Sequence, residues 1–155
     1  DVTGLSYNAL LGTEIQVGGT WQLDVIGSHN RVMNEDKGIN GYALTDTLQN
    51  LIATGAYNPF GTAGAKGDLS TARYVPVEKT TSTITSADIK ASGEVAQLPA
   101  GAIGAAVGTT AMHQSYSDEF DARSVAGDVF GNSGSSGGGQ RNAVALLSFG
   151  VTCMA

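Results

Sequence analysis

The sequence predicts a mainly β fold. The expected architecture is an antiparallel up-and-down meander of about five long strands, with short turns at one end, long loops at the other and one short helix in the first long loop. Three observations carry this expectation. Apolar and polar residues alternate with a period of two over long stretches, as in strands with one apolar and one polar face. Glycine occupies 22 of 155 positions and charged residues make up only 14 %, so the chain is rich in small uncharged residues that suit closely approaching backbones. Short and long connections alternate along the chain, which in a meander places all short turns at one end of the strands.

The first strand is expected over about residues 5–17, with Tyr7, Ala9, Leu11, Ile15 and Val17 on one parity and Asn8, Glu14 and Gln16 opposite. Gly18-Gly19 predicts a two-residue hairpin turn, since glycine supplies the positive φ such turns need. Trp21, Leu23 and Val25 against Gln22 and Asp24 continue as a second strand over about 21–32. Alternation then stops through the loop 33–79. Within it Leu44, Leu48, Leu51 and Ile52 recur at the spacing of one helical face. Thr45 and Asp46 fall in the first turn, Gly55 is the expected stop, and Tyr57-Asn58-Pro59-Phe60-Gly61 follows as a turn.

The third strand is expected over about 80–98. Thr85, Ala87, Ile89, Ala91, Gly93 and Val95 share one parity, and Ser86, Asp88, Lys90, Ser92 and Glu94 the other. Pro99-Ala100-Gly101 turns the chain into a fourth strand over about 103–116. The loop 117–141 contains the low-complexity run from Gly131 to Gly139, which has almost no side chain to bury and is expected to be mobile. A fifth, mostly apolar strand is expected over about 142–151.

The length fits a single β domain, 1–155. A net charge of -6 and a pI near 4.6 set the chain against nucleic acid and anionic lipid, and its eight basic residues form no patch. The lone cysteine, Cys153, permits no intrachain disulfide and reads as an inert small residue, leaving the redox compartment open. No run approaches the roughly 18 apolar residues of a membrane helix. Asp1-Val2-Thr3-Gly4 has neither an initiator Met nor the features of a signal peptide, so a processed or excised chain is expected.

No catalytic, cofactor-binding or metal-binding residues are predicted. His29 and His113 lie on strands without a carboxylate or cysteine at ligand spacing. Asp118, Glu119 and Asp121 offer the oxygens that calcium takes, but without a fixed ligand spacing they read as a solvated acidic loop. No Gly-x-Ser-x-Gly elbow is present, and the glycine-rich run lacks the lysine of a phosphate loop. The leucine face of the helix reads as a packing surface. The expectation is a protein without enzymatic activity.

The run Ser92-Gly93-Glu94-Val95-Ala96-Gln97-Leu98-Pro99-Ala100-Gly101-Ala102-Ile103-Gly104-Ala105-Ala106-Val107-Gly108 closely resembles a hairpin of TonB-dependent outer-membrane receptors. There a strand ends in a Leu-Pro-Ala-Gly turn and the next begins with small residues. The similarity extends through Ser115-Tyr116-Ser117-Asp118, Ala126-Gly127-Asp128-Val129 and Gly139-Gln140-Arg141-Asn142, and upstream to Trp21 and Tyr57-Asn58-Pro59-Phe60. The alternation of short turns and long loops is also that of outer-membrane barrels. The resemblance implies a segment of a barrel of about 22 strands. The family's plug domain and energy-coupling box have no counterpart here. Thr110, Ala111 and Met112 stand where the family usually has a Glu, an aromatic and an Arg, and Phe149 stands at an acidic position. The end from Gly150 to Ala155 no longer resembles a receptor strand.

Five unclosed strands leave two edges of unpaired backbone groups, whereas membranes hold only closed barrels. The expected partner is therefore the chain itself, through its sheet edges. Membrane is a partner only within a full barrel. The leading expectation is a structural subunit of a self-assembling extracellular or cell-surface filament. A part of a receptor for nutrient uptake across the outer membrane is the second, and a small eight-stranded outer-membrane barrel the third.

Overall fold

A computed structural model of the chain describes residues 1–62, 64–99 and 101–154, with side chains described through residue 145. The fold is mainly β. Five long strands form one antiparallel sheet: β1 (Val2–Val17), β2 (Trp21–Lys37), β4 (Val77–Leu98), β5 (Gly101–Phe120) and β7 (Gly137–Met154), in the order β1-β2-β4-β5-β7. Two short strands, β3 (Ala43–Leu44) and β6 (Val129–Phe130), pair separately, with Ala43 opposite Phe130 and Leu44 opposite Val129. The long loops also carry helix α1 (Thr45–Ala53), a 3-10 turn (Ser70–Ala72) and helix α2 (Ala122–Ala126).

The strands extend beyond their expected limits where the alternation fades. β2 continues to Lys37 through Asn34-Glu35-Asp36, because ladder hydrogen bonds need backbone groups, not an apolar face. There the Asp1 ammonium donates to the Lys37 carbonyl at 2.7 Å, and the Lys37 N–H donates to the Asp1 carbonyl at 2.7 Å. The first hairpin turn is three residues, Gly18 to Thr20, rather than two, with Gly18 at φ 65°. Ala100 of the second turn lies outside the described residues, as does Ala155.

The glycine-rich run makes specific contacts with its own unit. The Phe120 N–H donates to Ser136 Oγ at 2.9 Å, and Asn132 Nδ2 donates to Ser124 Oγ at 3.1 Å. A Cβ on Gly134 would lie 2.2 Å from the Phe120 ring, so a glycine is needed where the run passes that side chain. β7 then starts inside the run, at Gly137.

The chain divides into two compact units. The loop unit comprises Asp1–Leu5, Met33–Thr81 and Ser117–Gly138, and the sheet unit comprises Ser6–Val32, Ser82–Tyr116 and Gly139–Ala155. Every buried residue among those described, namely Ala43, Ala72, Pro76, Ser124 and Val129, belongs to the loop unit. There α1 packs on β3 and on the 3-10 turn. The expected helix is present: Leu44 is its N-cap, Asp46 lies in its first turn, and Gly55 follows the Thr54 C-cap at φ 75°. In the sheet unit no described residue is buried.

Candidate functional site

β1 and β7 are the outer strands of the five-stranded sheet, so each has one side without a strand partner in this chain. They are long, at 16 and 18 residues. Natural sheets guard such edges with lysine, proline, short strands or bulges. β1 has no Lys or Pro and a single charged residue, Glu14. β7 likewise has no Lys or Pro and a single charged residue, Arg141. Every residue of β1 is exposed, a burial state that the alternation of the sequence alone does not foretell.

Cross-strand neighbours in the sheet unit fix which residues share a face. On one side His29 Nδ1 and Thr85 Oγ1 lie 2.9 Å apart, the Tyr7 ring stands 5.9 Å from the His29 ring, and Trp21 covers Gly93. A Cβ on Gly93 would fall 2.6 Å from the indole, so the glycine makes room for the ring. On the other side Ser28 Oγ and Ser86 Oγ lie 2.8 Å apart, and Thr110 Oγ1 donates to the Asp88 carboxylate. The expected period-two faces are therefore in place. The first side carries Leu11, Ile15, Val17, Ile89, Val95 and Val107, all exposed, Leu11 by 81 %.

These aliphatic side chains lie open to solvent. The Arg31 Nε is buried without a hydrogen-bond partner among the described residues.

The loop unit has a different character. Leu48 and Ile52 of α1, with Tyr42, Tyr57, Leu69 and Phe130, line an apolar hollow of about 610 Å³. The expected turn after the helix is present, with Tyr57 bridged to Gly67 and the Phe60 N–H donating to Asn58 Oδ1 at 3.0 Å.

The acidic loop residues do not converge. Asp118 and Glu119 are adjacent on β5 and point to opposite faces, Asp118 accepting from Thr80 Oγ1 at 3.4 Å. Asp121 instead ties the unit together. It caps α2 by accepting from the Arg123 and Ser124 N–H groups, and it accepts from Ser124 Oγ at 2.6 Å, Tyr74 Oη at 2.7 Å and the Val77 N–H at 3.1 Å. Burial opposes its ionisation, but the hydrogen bonds from Ser124, Tyr74 and Val77 outweigh that and hold the carboxyl far below its usual range. The Tyr74 phenol is pushed up, first by its hydrogen bond to Asp121. The Glu78 carboxyl is pushed up by desolvation, then by the Asp118 and Asp36 charges.

Asp121, expected within a solvated acidic loop, instead caps the unexpected helix α2. The signal was there in Asp121 before the helix and Gly127 after it, the latter at φ 78°. His113 Nδ1 lies 2.6 Å from Asn142 Oδ1, so both histidines sit beside neutral side chains. The side chains of Phe149 and Cys153 lie outside those described. No helix among the described residues is long and apolar enough to cross a membrane, which says nothing about crossing by strands.

Compared with protein-family models, with curated proteins and with solved structures, the chain matches none.

Proposed function

We propose that this protein is a structural, non-enzymatic subunit that polymerises through the edges of its sheet into an extracellular or cell-surface filament. The observation that carries the reading is the pair of long, unguarded edge strands on a sheet unit with no buried described residue. Unpaired N–H and C=O groups along 16 and 18 residues are a template for another strand. A contact that does not close on itself gives a fibre.

The test compares the wild type with the double variant Leu11→Lys/Val144→Lys by negative-stain microscopy and sedimentation. The wild type is expected to form filaments. The variant, with a charge on each edge strand, is expected to stay small while keeping its β circular dichroism. Monodisperse wild-type particles across pH and salt would refute the reading.

A second reading, a wall segment of a TonB-dependent-receptor-like barrel serving nutrient uptake across the outer membrane, is favoured by the exposed aliphatic face, which is what the lipid side of such a strand presents. The likeness of residues 92–108 to the receptor hairpin supports it too. Heat-modifiable migration of detergent-extracted material would select this reading over the filament.

A further inference from the structure

We propose that the loop unit binds a small amphiphilic anion, an alkyl or aryl body ending in one carboxylate or sulfonate group, in the hollow beside α1 and the β3–β6 pair. The proposal is independent of the filament reading, because every residue that lines the hollow belongs to the loop unit.

Strand pairing builds the site. Ala43 of β3 stands opposite Phe130 of β6 on one side and opposite Arg73 on the other, both in antiparallel pairs. Residues directly opposite in such pairs put their side chains on one face, about 5 Å apart. Arg73, Ala43 and Phe130 therefore form a row, and all of them line the hollow. The middle side chain is a methyl and Ala43 is only 5 % exposed, so the row is a dip with a guanidinium on one rim and a phenyl ring on the other. Leu48 and Ile52, one turn apart on α1, supply another wall.

The walls are set by the chain's own backbone. The Thr45 N–H donates to the Asp128 carbonyl at 2.8 Å, the Tyr57 N–H to the Leu51 carbonyl at 3.0 Å and the Tyr74 N–H to the Tyr42 carbonyl at 3.2 Å. A ligand entering a site held in this way is spared the cost of ordering it.

Size and charge select the ligand. The volume of about 610 Å³ falls in the range of small-molecule sites. Arg73 is the one charged residue in the lining, which contains no carboxylate. Both ion pairs among the described residues are made by Glu35, so none involves this guanidinium. The Asp68 carboxyl feels the Arg73 charge, but it accepts its hydrogen bonds from the Ser70 N–H at 2.8 Å and Ser70 Oγ at 2.7 Å. Around the cation the apolar groups lie open, Ile39 by 66 % and Phe130 by 60 %. A ligand with an apolar body and one anionic end meets both demands. A neutral apolar ligand leaves the guanidinium unused, and a compact polar anion leaves the aliphatic walls wet.

Two dyes that differ in one group test the proposal by fluorescence titration: anilinonaphthalene sulfonate and its uncharged parent, phenylnaphthylamine. The wild type is expected to bind the sulfonate about fivefold more tightly than the parent, a preference that Arg73→Gln abolishes and Arg73→Lys largely keeps. Phe130→Ala is expected to weaken both dyes about tenfold. The side chains at 73 and 130 are exposed, so these variants should keep their β circular dichroism. Laurate or naphthoate should displace the sulfonate dye from the wild type. Dye binding that neither Arg73→Gln nor Phe130→Ala changes would place the dye on another surface and overturn the site. Equal weakening of both dyes by Arg73→Gln, or displacement by neither carboxylate, would overturn the anionic ligand.

Discussion

The loop unit gathers its hydrogen bonds around one carboxylate, while the sheet unit spreads its contacts along a ladder with open faces. In the loop unit one carboxylate, Asp121, accepts five hydrogen bonds and caps α2, and the small buried set is Ala43, Ala72, Pro76, Ser124 and Val129. In the sheet unit the contacts are cross-strand pairs such as Ser28 with Ser86 and Trp21 over Gly93, and the aliphatic residues beside them remain exposed. Order in the first comes from local closure within the chain. Order in the second comes from the ladder itself, which ends at two outer strands, β1 and β7.

The comparison can be broken most forcefully at Asp121. Asp121→Ala strands a tyrosine hydroxyl and several backbone donors, and it is expected to cost about 2–4 kcal/mol in the unfolding of the loop unit. Hydrogen exchange should show the loss at α2 and the Val77 amide while the Ser82–Tyr116 strands stay protected. Acid should reproduce the effect. The folded carboxyl titrates below its ordinary value of 3.8, so its stabilisation is complete above that value and is lost as pH falls below about 4.

The sheet unit is probed at Gly93. Gly93→Ala drives a methyl into the indole of the chain's only tryptophan and against the Thr20 carbonyl, and it is expected to cost about 1–3 kcal/mol. Trp21 emission should shift to the red, with little change at α2. An unchanged spectrum would mean that the indole does not lie over the glycine.

The smallest effect is expected at Glu78, whose protonation is favoured in the fold by desolvation and by Asp118 and Asp36. Glu78→Gln removes a charge that the folded loop unit disfavours at neutral pH. A gain of up to about 0.5 kcal/mol is expected in thermal melts at pH 7. Because the folded pKa lies above the ordinary 4.5, the gain should vanish as pH falls through the titration and the native carboxyl takes up its proton.

Much of the fold was legible because period-two alternation reports directly on strand faces, as the separation of Thr85 and His29 from Ser86 and Ser28 shows. Helix α1 was legible for a similar reason, its leucine spacing and Gly55 being local signals. Strand ends were not. The ladder carries β2 through Asn34-Glu35-Asp36-Lys37, where pairing with the chain's first residue and the 2.6 Å Lys37–Glu35 ion pair replace an apolar face. The β3–β6 pair was invisible because two-residue strands leave no period to read. The edge strands were readable as unguarded from their lack of Lys and Pro, but the exposure of β1 over its whole length depends on the strand order, which no local pattern encodes.

The odd strand count leaves one more mark on the sheet. In an even meander the outer strands run in opposite directions, whereas in five strands they run the same way. The two edges also differ in sequence, one carrying Glu14 as its single charge and the other Arg141. In the proposed filament a bare β1 and a bare β7 would therefore be chemically distinct surfaces, and an agent that blocks one would leave the other open.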